Sequence, residues 1–242
     1  MSTVTPMITR GYEAWLRDFE DERERRAAAP EPAWEQGARV HPAIWRSVRR
    51  FQVGESGDGA NLIAKADRAG DAPYARAVRL FVAEEQNHAR LLGLLLGAGG
   101  VPPLTSHWSD TVFVRLRRLL GLRLELLVLM VAEVVALRYY RALRDGTGDA
   151  LTTRVAGAIL ADEVRHVPFH CERLREAFAR MPRPLGRLVL LGWRALLLAA
   201  ALVVACDHGS ALRGFGVGRV RFVRDVTASA GPVVRSILDR TV

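Results

Sequence analysis

Ala83-Glu84-Glu85-Gln86-Asn87-His88 and Ala161-Asp162-Glu163-Val164-Arg165-His166 are one pattern written twice. Each is a Glu-x-x-His preceded by an alanine and an acid. A further glutamate stands before each at the same interval: Glu55 thirty residues ahead of Glu85, and Glu133 thirty ahead of Glu163. Residues i and i+3 share one face of an α-helix, so each motif can present an oxygen and a nitrogen to the same point. Four carboxylates and two imidazoles, one set per half, are what a pair of metal ions inside a four-helix bundle requires. A single Glu-x-x-His is weak in a chain with six histidines. Two copies with matching upstream glutamates are much harder to obtain by accident.

Working outward, four long helical patterns cover roughly 43–69, 73–96, 110–144 and 150–179. Gly97–Pro103 and Asp145–Asp149 separate the later ones, and Pro182-Arg183-Pro184 closes the fourth. The acids lie on the apolar stripes: Ile44, Val48, Phe51, Glu55, Leu62, Ala66; then Val78, Phe81, Glu85, His88, Leu92, Leu95. The third and fourth stripes are Leu126, Met130, Glu133, Leu137, Tyr140, and Val155, Ile159, Glu163, His166, His170, Leu174. An ionised carboxylate among apolar neighbours is very costly unless paired or bound to a cation. With no Lys or Arg on these stripes, two divalent ions would supply the missing charge. Mixed oxygen and imidazole ligation without thiolate suits iron or manganese, with zinc open on ligand type alone. Glu55 sits in Gly54-Glu55-Ser56-Gly57-Asp58-Gly59. Either the helix breaks there, or the small residues make room for close packing or substrate beside the site; the second is the expectation.

At 242 residues, half of them hydrophobic and 7% aromatic, the chain reads as all-α. Its net charge is +9, carried almost wholly by arginine, with Lys65 the sole lysine. A solvated arginine-rich surface is the plain reading; an anionic membrane surface is the alternative, and nucleic acid is not the expected partner. Cys171 and Cys206 make no Cys-x-x-Cys pair, which excludes a cysteine-built metal site. Met1 to Arg26 has no apolar h-region, so a cytoplasmic location is expected.

The order Glu, Glu-x-x-His, Glu, Glu-x-x-His on successive helices resembles the ferritin-like di-iron carboxylate superfamily over about 43–180. The resemblance implies a ferritin-like four-helix bundle holding two iron ions, with manganese or a mixed Mn/Fe pair as variants. By it, Glu55, Glu85 and His88 would serve one metal and Glu133, Glu163 and His166 the other, some carboxylates bridging. It further implies that Glu84 hydrogen-bonds His166 and that Asp162 hydrogen-bonds His88. There is no Cys₄ rubredoxin module, and the chain matches no single member. An oxygenase or oxidase that uses O₂, a small organic substrate and an external electron donor is the leading expectation, as a monomer or homodimer. Iron handling or peroxide detoxification is the alternative, and a metal-free structural or membrane-associated bundle the third reading.

Other features bear on the surroundings. His170, one turn beyond His166, is a third imidazole or a pocket residue, and Pro168 should kink its helix. Tyr140 is a candidate redox tyrosine, though a buried tyrosine with a satisfied hydroxyl is the stronger expectation; Tyr139 precedes it. The expected organisation is a charged helix and Pro-rich linker over 1–42, the bundle over 43–180, and an apolar helix with a basic tail over 181–242. Leu188 to Cys206 is long enough to reach across hydrocarbon, but Arg194 interrupts it. It is expected to pack on the bundle or to lie at a membrane surface.

Overall fold

The computed structural model describes residues 10–108 and 121–239, and every regular element among them is helical. The first helix, α1 (Tyr12–Ala28), is followed after a 3-10 turn by α2 (Pro42–Glu55), α3 (Ala60–Asp67) and α4 (Ala72–Ala98). After 109–120 come α5 (Leu122–Gly146), α6 (Ala150–Ala179), α7 (Arg183–Asp207), α8 (Gly209–Gly214), α9 (Arg219–Ala228) and α10 (Ala230–Leu238). The third helical pattern was read from 110; its first residues, like the N-terminal stretch 1–9, lie outside the described residues.

Local sequence fixes the starts. Asp71 Oδ1 accepts the Tyr74 amide at 2.9 Å and Asp149 Oδ1 accepts the Thr152 amide at 2.8 Å, capping α4 and α6. Proline in the first turn, where no amide donor is missed, opens α2, α4 and α7.

The expected single helix over 43–69 is two. α2 ends at Glu55, and α3 begins after Gly59, whose φ of 62° is left-handed. A side chain at Gly59 would also overlap Val82. Glycines at 54, 57 and 59 each weaken a continuous helix by about 1 kcal/mol, so the chain turns instead. Glu55 therefore projects from a helix terminus, and Gly54 beside it leaves open space where a side chain would stand. Pro168 does not interrupt α6, which runs through it.

Segments α2–α3, α4, α6 and α5 close a ring: α2 and α3 pack on α4, α4 on α6, α6 on α5, and α5 on α3. One hydrophobic core runs through them and out to α1 and α10. α1 docks on α4 through Tyr12, Trp15, Leu16 and Phe19, all buried, each worth about 1.5–3 kcal/mol of apolar burial. Its start is tied down by Glu172, which accepts from Trp15 Nε1 at 2.8 Å and from the Gly11 amide at 2.8 Å. Lys65 Nζ reaches the buried Glu125 carboxylate at 2.7 Å, linking α3 to α5. The stretch after Asp207, expected as a tail, is helical and packed: Phe222, Val226, Val233 and Ile237 are buried. α7 lies along α5, where Trp193 Nε1 donates to the Leu127 carbonyl at 2.9 Å.

Candidate metal centre

Both motifs fall mid-helix, Glu85 and His88 on α4 and Glu163 and His166 on α6, while Glu133 comes from α5 and Glu55 from the last residue of α2. All six converge. One oxygen or nitrogen from each of Glu55, Glu85, His88 and Glu163 can be chosen so that all lie within 4.8 Å of one another. The same holds for Glu85, Glu133, Glu163 and His166. Glu85 and Glu163 belong to both groups, with Glu55 and His88 completing one and Glu133 and His166 the other; if two ions were held, these two carboxylates are the ones that could be shared.

The histidines are held from behind by the opposite motif. His166 Nε2 lies 2.9 Å from Glu84 Oε2, and His88 Nε2 lies 3.1 Å from Asp162 Oδ2. A carboxylate only accepts, so each Nε2 carries a proton and each Nδ1 is the nitrogen that faces inward, free to offer its lone pair once a cation replaces any second proton. His166 Nδ1 is then 3.2 Å from Glu85 Oε1 and 3.4 Å from Glu133 Oε2, and His88 Nδ1 is 3.6 Å from Glu163 Oε1. None of these contacts has hydrogen-bond geometry. Glu85 Oε1, His88 Nδ1, Glu133 Oε2, Glu163 Oε2 and His166 Nδ1 are all buried without a hydrogen-bond partner. Buried polar atoms are rarely left so. Five of them aimed at one space, with oxygen and imidazole chemistry, fit a divalent cation pair and could hold metal.

Two arginines complete the outer layer, and the stripe reading missed both. Arg26, from the end of α1, donates to Glu84 Oε1 at 2.6 Å and to Asp162 Oδ1 at 2.8 Å. Arg165, inside the second motif, donates to both Glu84 oxygens at 2.9 and 3.0 Å and also to Asp162. Two acids and two guanidiniums balance, so the outer layer needs no metal charge. Arg165 carried a readable signal, because Asp162 and Arg165 are spaced i, i+3 on one helix. Arg26 carried none, since nothing local relates α1 to the motifs.

Tyr140 Oη donates to Glu55 Oε1 at 2.6 Å, so its hydroxyl is satisfied and fixes that carboxylate. Tyr139 Oη pairs instead with Ser47 Oγ at 2.8 Å. His170 is buried with its ring edge-on to Phe81, 4.6 Å between centroids, and joins neither ligand group among the described residues.

The charges differ by layer. Burial, then repulsion from Glu85, pushes the Glu55 carboxyl well above its ordinary range; burial and Glu133 do the same to Glu163. Burial opposes charge on His166, yet the surrounding carboxylates of Glu133, Glu163, Glu84 and Glu85 raise it overall. Burial would raise Asp162 too, but the hydrogen bond and charge of His88, with Arg26, hold it near about 2. Protons thus stand in for cations when no metal is bound. The folded metal-free protein holds protons on Glu55, Glu163 and His166 that the unfolded chain releases earlier, so its stability falls as pH rises above 4.5. The depressed Asp162 acts in the opposite sense, but only below pH 3.8, outside the working range. Between about pH 6 and 8.5 the metal-free melting temperature should fall measurably as these protons are lost. Saturating divalent metal should flatten that dependence, as differential scanning calorimetry of both forms would show.

A cavity of about 370 Å³ leads to the carboxylates. Glu55, Glu85, Glu133 and Glu163 form its polar end; Phe51, Val128, Ala132 and Ala136 line one side, and Leu196, Ala199 and Val203 of α7 the other. Helix α7 was expected to pack on the bundle or to lie at a membrane surface, but nothing in its sequence pointed to its lining a cavity. No family model matches this sequence, and no curated protein is matched by it.

Proposed function

We propose that this chain is a di-iron carboxylate protein of the ferritin-like kind that uses O₂ to oxidise a small apolar substrate. The carrying observation is the set of five orphaned buried ligand atoms at the foot of an apolar cavity. Glu55, Glu85, His88, Glu133, Glu163 and His166 would hold two ions; when bound, iron supplies the reduction of O₂. The protein's own residues do the rest. Glu84 and Asp162 lock the imidazole tautomers, Tyr140 steadies Glu55, and Phe81 and Phe19 dry the His166 side by ring packing. The largely apolar walls of the cavity suit an apolar molecule beside the carboxylates. Inserting one oxygen atom into a C–H bond takes two further electrons and two protons and leaves water, so an external reductant is required. Iron storage alone would give the apolar cavity no role.

Anaerobic Fe²⁺ titration of the metal-free protein should saturate at about two ions per chain, as a Glu, Glu-x-x-His pair on four helices implies. With reductant present, O₂ uptake should rise when small apolar substrates are added. Ala132→Phe, which fills the cavity, should keep both ions and lose that stimulation. Cage-sized particles accumulating ferric mineral would overturn the oxygenase reading in favour of storage. Absence of binding by iron, manganese and zinc would make the six residues a structural network.

A further inference from the structure

The amphipathic helix α7 is seated on one side only. Leu190, Trp193, Leu197 and Ala201 face the protein and are buried, while Leu188, Leu191, Leu198 and Leu202 on the opposite stripe are 65%, 63%, 43% and 49% exposed. Only 28% of its most apolar 18-residue window is buried, where a core helix would be mostly covered. A contiguous bare leucine face of this kind marks an interaction surface. Its two edges differ. Around the helix, Arg187 and Arg194 border one edge, both exposed. The other edge is Leu196, Ala199 and Val203, which are the cavity wall, with the exposed Trp108 also lining the cavity.

We propose that this face of α7 seats in an anionic lipid surface and that the cavity takes its apolar substrate laterally from the acyl region. Leucines would enter the acyl boundary while Arg187 and Arg194 extend to the headgroups, an arrangement that a net charge of +9 reinforces. Spanning is opposed by Arg194 within the helix and by the packing of α7 along α5 and α9. A second copy is the weaker occupant, because two-fold pairing about the helix midpoint would set Arg194 near its own symmetry mate. The substrate half of the proposal rests on the oxygenase reading; the docking half needs no metal.

Flotation of the full chain, with and without bound iron, tests it. Vesicles of phosphatidylcholine with about 30% phosphatidylglycerol, in about 150 mM salt, should carry at least about ten times more protein than phosphatidylcholine alone. Leu188→Gln/Leu191→Gln/Leu198→Gln should cut that binding at least about tenfold with little change in melting temperature, because these side chains are largely exposed in the folded chain. Arg187→Gln/Arg194→Gln should abolish the preference for phosphatidylglycerol. Acyl-brominated lipid should quench the part of the tryptophan emission that Trp108→Phe removes, placing the cavity rim at acyl depth. No flotation on either vesicle would overturn the proposal. So would a concentration-dependent dimer that the leucine variant dissociates, which would assign the face to a second copy. Flotation without Trp108 quenching would overturn lateral access. Iron stoichiometry is measured apart, so a protein that floats but binds no metal refutes the oxygenase reading and leaves the docking intact.

Discussion

Glu163→Gln should abolish binding of both metals and at the same time raise the melting temperature of the metal-free protein. Glu163 contributes to both converging ligand groups, as Glu85 does, whereas Glu55 and Glu133 each serve one. Loss of the shared carboxylate removes an anionic ligand from each ion, and affinity should fall by at least about 100-fold, near 2.8 kcal/mol. Glu55→Gln should leave one ion bound, by the same geometry. Without metal the sign reverses. Glu163 is 1% exposed beside Glu133 and Glu85, with burial and like charge both opposing its ionisation. A neutral amide of equal size relieves that strain, and a stabilisation of about 1–2 kcal/mol, or 2–8 °C at pH 8, is the expected scale. Equilibrium dialysis and calorimetry on the two variants read both effects. A protein whose six residues were a structural network would lose stability instead, with no metal to lose.

The separation between what the sequence disclosed and what it did not follows the range of the interactions. Glu85 and His88, like Glu163 and His166, are one helical turn apart, and their upstream glutamates sit on stripes whose apolar members are buried in the core or, like Phe51 and Leu137, packed partly buried against it. Periodicity is a local property, so helical class and the inward direction of each acid could be read directly. The helix end at Glu55 was harder. Three glycines permitted both a break and a close approach, and only the packing of Gly59 on Val82 decides that the chain turns there. The helices after Asp207 were missed because their short apolar stripes, such as Phe222 with Val226, are diluted by arginine and glycine. Apart from the pairing of each histidine with the acid of the opposite motif, contacts between distant segments were not legible. Trp15 and Glu172, Arg26 and Asp162, and α7 with the cavity meet only once the ring of helices has formed.

Arg165→Ala should be strongly destabilising although Arg165 is outside the converging ligand groups. Its guanidinium, 17% exposed, lies between Glu84 and Asp162, which are 1% and 5% exposed. Removing one partner from a buried ionic cluster leaves uncompensated charge and costs about 3–5 kcal/mol, lowering the melting temperature by about 6–20 °C. Arg26 would remain, but its side chain is 27% exposed and it reaches one oxygen of each acid rather than both oxygens of Glu84. Arg26→Ala should therefore cost less. The consequence reaches the centre through hydrogen bonds. Glu84 released from Arg165 no longer holds His166 Nε2 in place, so inward presentation of Nδ1 weakens, and metal affinity should drop by about 10–100-fold. Asp162 and His88 stand in the same relation, which makes the loss affect both ends of the centre. Arg165 makes all its contacts to Glu84 and Asp162 through Nη2. Arg165→Lys keeps the charge on a shorter side chain that does not carry an ammonium to that position, so it should recover part of the stability and little of the affinity. Stability and metal affinity falling in parallel across Ala, Lys and Arg would instead mean that Arg165 acts only by holding α6 to its neighbours. Separation of the two by the lysine variant is the expected result, and it would make Arg165 a positioning residue for the imidazoles.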